Sequence, residues 1–185
     1  CVCIYFTLRN LFSKNKYGIT CAKGSIQHFT YKEWRGINKI KEGSICVSVV
    51  THPQHRVVSS FYFLGYDKHY SFLEFLQKIQ DGSLLSEIQF IGFRAIIKQH
   101  LTSMYDYLED ENNMDFIFKR ESLDNDWKEF CEKYRLENDS LKHINKTKSI
   151  TNWKELYKIY PEASQLVYNL YKKDFEHFGY KVIIA

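Results

Sequence analysis

The chain has 185 residues and a mass of 22.2 kDa, which suits one domain with a sizeable core. Hydrophobic residues at 44% and charged residues at 26% exclude a disordered or collagen-like chain. The 26 Lys and Arg against 22 Asp and Glu leave a dispersed net charge of only +4, so no nucleic-acid partner is expected.

Taken in chain order, Thr7 to Lys14 has leucine and phenylalanine at helical spacing with Thr7 placed to cap the start. Tyr31 to Ile40 reads as a second helix. Ser44 to Val50 is short, apolar and β-branched, the pattern of a strand buried on both faces. A helix follows from Pro53 to Tyr62. Ser71 to Gln80 is amphipathic, with Ser71 and Glu74 spaced as a capping box. Ile91 to Met104 reads as helix, Asp115 to Lys119 as another buried strand, and a helix then carries Trp127 and Phe130. Pro161 to Phe178 reads as one long amphipathic helix with proline near its start. Strands alternating with helices predict an α/β domain whose mainly parallel sheet is flanked by helices.

No apolar run approaches the roughly 20 residues of a membrane span, so no membrane segment is expected in this chain. The five cysteines (Cys1, Cys3, Cys21, Cys46, Cys131) are odd in number and scattered, and Cys1-x-Cys3 lacks a second pair. They read as reduced thiols, several of them core residues, with no metal site. A bacterial cytoplasm is the expected compartment; a secretory lumen stays open if an anchor precedes the chain. The chain begins at Cys1 and its methionines are Met104 and Met114, so residues upstream of Cys1 are expected.

The segment richest in chemistry runs from Val49 to Tyr62. A buried strand feeds straight into a helix starting near Pro53, and the start of a helix offers free N–H groups and the positive end of its dipole to an anion. Arg56 and Ser59, three residues apart, share a face of that helix. A phosphate could take charge from Arg56 and a hydrogen bond from Ser59. The alternative is an ordinary strand–helix unit in which Arg56 pairs with a carboxylate.

These residues resemble the R-x-P-x-x-R-x-x-S motif of the sulfotransferase family, in particular its carbohydrate branch. Pro53, Arg56 and Ser59 match, while Thr51 stands where the first arginine would be. The resemblance continues through Glu121-Ser122-Leu123-Asp124-Asn125-Asp126, like the family's E-x-L-x-x-D after a strand. It includes Asn145-Lys146-Thr147-Lys148, like its N-K-[ST] loop, and Tyr171-x-x-Asp174-Phe175-x-x-Phe178-Gly179-Tyr180, like its C-terminal Y-x-x-D-F-x-x-F-G-Y helix. His28 and Tyr31 match a G-H-x-x-[YF] stretch in which Gln27 replaces the glycine. Read without the resemblance, Glu121 and Asp126 are helix-start caps or local ion pairs. Lys146 and Lys148 are solvated loop charges, the stripe Leu166, Tyr168, Leu170, Tyr171, Phe175, Phe178 is core, and His28 is a structural histidine.

The resemblance implies a P-loop-type sulfotransferase fold over residues 1–185 as a single domain. It implies transfer of a sulfuryl group from the co-substrate 3′-phosphoadenosine 5′-phosphosulfate (PAPS) to a hydroxyl of a saccharide or other acceptor. The donor would lie against Thr7, Thr51, Arg56, Ser59, Lys146, Thr147 and Lys148. His28 would be the base, a role that suits an imidazole neutral near pH 7. His52 and His55 are weaker candidates. The family opens with a strand and a P-K-T-[AG]-G-T-S turn around the 5′-phosphosulfate. Here Cys3-Ile4-Tyr5 precedes Phe6-Thr7 with no lysine or glycine, so the first strand and that loop are expected to be missing or degenerate. An inactive domain that binds a nucleotide or glycan is therefore the alternative. A P-loop kinase is disfavoured, because no G-x-x-x-x-G-K-[ST] occurs.

Overall fold

The computed structural model describes residues 30–36, 45–109, 111–137 and 152–184. The elements in chain order are α1 (Tyr31–Gly36), β1 (Val47–Val50), α2 (Pro53–Phe63), α3 (Phe72–Gln80), α4 (Ser83–Ser86), α5 (Ile91–Leu101), α6 (Met104–Leu108), β2 (Phe116–Lys119), α7 (Leu123–Tyr134), α8 (Lys154–Ile159), α9 (Glu162–Leu170) and α10 (Lys172–Phe178). The helix expected over Thr7–Lys14 lies outside the described residues, as do His28 and the Asn145–Lys148 loop. The chain divides into two compact units: residues 52–103 with 148–185, and residues 2–51 with 104–147.

The second unit holds the sheet. β1 and β2 pair in parallel, Val47 opposite Phe116 through Val50 opposite Lys119. Every residue of β1 is buried, Ser48 among its three valines included, as the expected two-faced burial of this strand predicts. β2 is less enclosed than its sequence suggests: only Phe118 is fully buried. α7 packs on the sheet through Trp127, Phe130 and Cys131, with Tyr134 at their edge; these positions recur at the three- and four-residue spacing of one helix face. Cys131 lies buried inside this cluster, and Cys46 is a half-buried thiol whose pKa is raised by burial first and by Asp115 second.

The first unit is helical. Val57, Val58 and Phe61 of α2 meet Phe72, Phe75 and Leu76 of α3, with Ala163 and Val167 of α9, Tyr157 of α8, and Tyr171 and Phe175 completing the core. α3 begins with the expected capping box. The Ser71 hydroxyl accepts from the Glu74 N–H at 3.2 Å, and the Glu74 carboxylate accepts from the Ser71 N–H at 2.8 Å. These bonds hold the Glu74 pKa below its ordinary value.

Two expected helices are shorter than their patterns. The one expected over Ile91–Met104 stops at Leu101, because Thr102 turns to extended geometry (φ −60°, ψ 137°). The one expected over Pro161–Phe178 breaks at Tyr171 (φ −124°, ψ 29°) into α9 and α10. Apolar spacing continues through both breaks, so periodicity alone could not place them. Tertiary hydrogen bonds at Thr102 and Tyr171 do. Replacing Ser71 with Ala should cost about 1 kcal/mol of unfolding free energy, read as a lower denaturant midpoint with an unchanged slope; an unchanged midpoint would deny the cap a stabilising role.

Candidate functional site

Pro53 occupies the first turn of α2, where its fixed φ suits a helix start and its missing N–H removes no bond. His52 precedes it but does not cap the helix with its side chain. The His52 ring lies among Trp153 (5.4 Å between centroids), Phe175 (5.8 Å) and Tyr180 (5.2 Å), with Nε2 3.0 Å from the Lys181 carbonyl. His55 meets the other side of Trp153 at 5.6 Å. Both motif histidines are thus built into aromatic packing.

Gln54 is fully buried and holds the C-terminal tail. Its Oε1 accepts from the Ile183 N–H at 2.7 Å, and its Nε2 donates to the Ile183 carbonyl at 2.9 Å, so the side-chain amide pairs with a backbone segment as a strand neighbour would. The Gln54 carbonyl accepts from the Tyr157 hydroxyl at 2.9 Å. The first turn of α2 is therefore fixed by residues more than a hundred positions away in sequence.

One turn further on, Arg56 is 2% exposed. Its Nη2 donates to the Thr102 carbonyl at 2.5 Å, and its Cζ lies 5.9 Å from the centre of the Tyr171 ring. Its Nε is buried with no hydrogen-bond partner among the described residues. Among the described residues no carboxylate forms an ion pair with it, so the ion-paired alternative finds no support here. What Arg56 meets is the C-terminus of α5, the negative end of a helix dipole, worth roughly half an elementary charge. Ser59, three residues on, is half-buried.

The last carbonyls of α5 are each taken by a side chain from another element: His100 by the Ser60 hydroxyl at 3.3 Å, Leu101 by the Tyr171 hydroxyl at 3.0 Å, Thr102 by Arg56. A helix end leaves such carbonyls unsatisfied, and buried ones need partners. This cluster was hidden in the sequence, where Tyr171 reads as a core residue. A tyrosine rather than phenylalanine in an apolar stripe was the available signal, since a buried hydroxyl needs an acceptor.

In the other unit, Thr51 ends β1 and is 2% exposed. Its hydroxyl donates to the Glu121 carboxylate at 2.9 Å and its N–H to Met104 Sδ at 3.4 Å. Asp126 Oδ2 accepts from the Lys119 N–H at 2.6 Å. The two acids of the E-x-L-x-x-D block thus each bond the end of one of the two parallel strands. Of the remaining expected site residues, Thr7, His28, Lys146, Thr147 and Lys148 lie outside the described residues. Among the described residues no group of three or more His, Cys, Asp or Glu could hold a metal, and no helix is long and apolar enough to cross a membrane.

Burial pushes the Tyr171 hydroxyl up to about 12, with Arg56 lowering it and Asp174 raising it. The unfolded chain releases this proton near 10, so the folded state holds the extra proton between those values. The resulting stability is complete below pH 10 and is lost as the pH rises through about 12. Tyr157, also raised by burial, adds to the same loss. Tyr171→Phe should flatten the fall of the urea midpoint between pH 10 and 12; an unaltered slope would contradict the assignment.

Comparison with known proteins gives one family match: the model described as "Sulfotransferase family" covers residues 12–181. No curated protein and no solved structure matches the chain significantly.

Proposed function

Because the chain belongs to the sulfotransferase family, we propose that it transfers a sulfuryl group from PAPS to a hydroxyl of a saccharide acceptor. The observation that carries the donor half of this reading is Arg56: a guanidinium 2% exposed, with a buried Nε unpartnered and no carboxylate in ion-pair contact with it among the described residues. An isolated buried charge is costly. The α5 dipole offsets part of it, and an anion at the free edge would offset the rest. The position matches the family's 3′-phosphate motif, with Ser59 on the next turn to donate a hydrogen bond and the positive end of the α2 dipole close in sequence.

In this reading Arg56 and Ser59 hold the 3′-phosphate of PAPS, and the bound donor supplies the sulfuryl group. Thr7 and the Lys146-Thr147-Lys148 segment line the rest of the donor. His28 takes the proton from the acceptor hydroxyl as it attacks sulfur in line. Thr51 contributes through the strand end that it fixes by bonding Glu121. The two units belong to one sulfotransferase domain over 1–185.

A second reading is favoured by Thr51. Where the family motif has an arginine, this chain has a hydroxyl already committed to Glu121 at 2.9 Å. A domain that keeps the nucleotide site without turnover would show that substitution. Calorimetry with 3′-phosphoadenosine 5′-phosphate separates the cases. Saturable binding is expected, weakened at least about tenfold in Arg56→Ala, since a lost charged hydrogen bond to phosphate is worth roughly 1.5–3 kcal/mol; a flat titration with the unaltered protein would sink the donor site. With PAPS and a glycan acceptor, His28→Ala should abolish sulfate transfer and leave nucleotide affinity intact. Binding without any transfer in the unaltered protein would favour the second reading.

A further inference from the structure

We infer that Tyr171 is a positioning residue for the donor: by fixing the Leu101–Thr102 carbonyls it sets the direction in which Arg56 presents its free edge. The inference rests on the proposed 3′-phosphate site. It goes beyond it by adding a residue that lies 115 positions from Arg56 in sequence and reads as core.

The geometry has three parts. Tyr171 and Arg56 come from different elements, yet they bond consecutive carbonyls of one helix end, Leu101 at 3.0 Å and Thr102 at 2.5 Å. Both side chains are nearly sealed from water, at 3% and 2% exposure. The Tyr171 ring also stands 5.9 Å from the Arg56 Cζ, where its π-face attracts the guanidinium. A planar fork bonded by one nitrogen could still swing about that bond. A ring on one side and a fixed carbonyl on the other restrict the swing, while Nε stays buried with no hydrogen-bond partner among the described residues. The helix break at Tyr171 serves this arrangement, because the residue departs from helical geometry (ψ 29°) at the position that carries the hydroxyl. Since burial keeps that hydroxyl protonated at any physiological pH, it remains a donor throughout.

Arg56 is thus held for its task before any phosphate arrives. The energetic gain of such preorganisation is that binding need not freeze a long, flexible side chain. A tyrosine that merely filled space would have no influence on 3′-phosphate recognition.

The test is the preference for 3′-phosphoadenosine 5′-phosphate over adenosine 5′-phosphate, which differ by the 3′-phosphate alone. Tyr171→Phe keeps the ring and its volume, so the surrounding core stays filled. Positioning predicts that Tyr171→Phe lowers the affinity ratio by about tenfold, the scale of one buried hydrogen bond, while adenosine 5′-phosphate binding is unchanged. Arg56→Ala should collapse the ratio, and adding Tyr171→Phe to it should lower the ratio no further, because the tyrosine acts through the arginine. An unchanged ratio in Tyr171→Phe, or an equal loss for both nucleotides, would overturn the inference. A ratio near one in the unaltered protein, insensitive to Arg56→Ala, would instead remove the donor-site reading on which it rests.

Discussion

A guanidinium sealed from water with one hydrogen bond to a carbonyl is the constraint around which the helical unit is arranged. Arg56 sits on a helix whose other inward residues (Pro53, Gln54, Val57, Val58, Ser60 and Phe61) are uncharged, so its charge has little solvent to fall back on. The end of α5 answers part of that charge and explains why α5 must stop at Leu101. Its terminal carbonyls are wanted by Ser60, Tyr171 and Arg56, and a helix that continued would spend them on its own N–H groups. The same demand accounts for the break between α9 and α10, which delivers the Tyr171 hydroxyl to Leu101.

The start of α2 is held with equal care. Gln54 binds both polar groups of Ile183, Tyr157 bonds the Gln54 carbonyl, and His52 reaches the Lys181 carbonyl within a ring of aromatic side chains. These contacts come from the C-terminal tail and from α8. They fix the segment in which the family match and the phosphate motif coincide. In the sheet-bearing unit the acids Glu121 and Asp126 do comparable work, tying the ends of β1 and β2. Gln54, Thr51, Glu121 and Asp126 thus hold backbone or strand ends in place, while Arg56 keeps a buried Nε with no hydrogen-bond partner among the described residues.

Much of this was legible in the residues. The valine-rich run Val47–Val50 reads as a buried strand, Pro53 marks one helix start, and Ser71 with Glu74 marks the following one. The order of the motif blocks pointed to the family before any coordinates. What stayed hidden depended on distant partners. Nothing in Ile91–Met104 tells that three side chains will compete for its last carbonyls, and the stripe through Tyr171 keeps helical spacing across a break that only tertiary bonding creates. The helix that follows Glu121 and Asp126 is visible in the residues, but not the strand ends, brought together by parallel pairing, that these acids bond. Arg56 is a candidate from its spacing to Pro53 and Ser59, but that no carboxylate among the described residues forms an ion pair with it shows only in the fold.

The central claim is that Arg56 is a buried charge completed by the donor's phosphate. Thermal unfolding with and without saturating 3′-phosphoadenosine 5′-phosphate, for the unaltered protein and for Arg56→Met, tests it most directly, because a ligand that binds the folded state raises the midpoint with the logarithm of its concentration over Kd. If Arg56 holds the phosphate, the midpoint of the unaltered protein rises with nucleotide while that of Arg56→Met scarcely moves. Equal rises in the two proteins would contradict it.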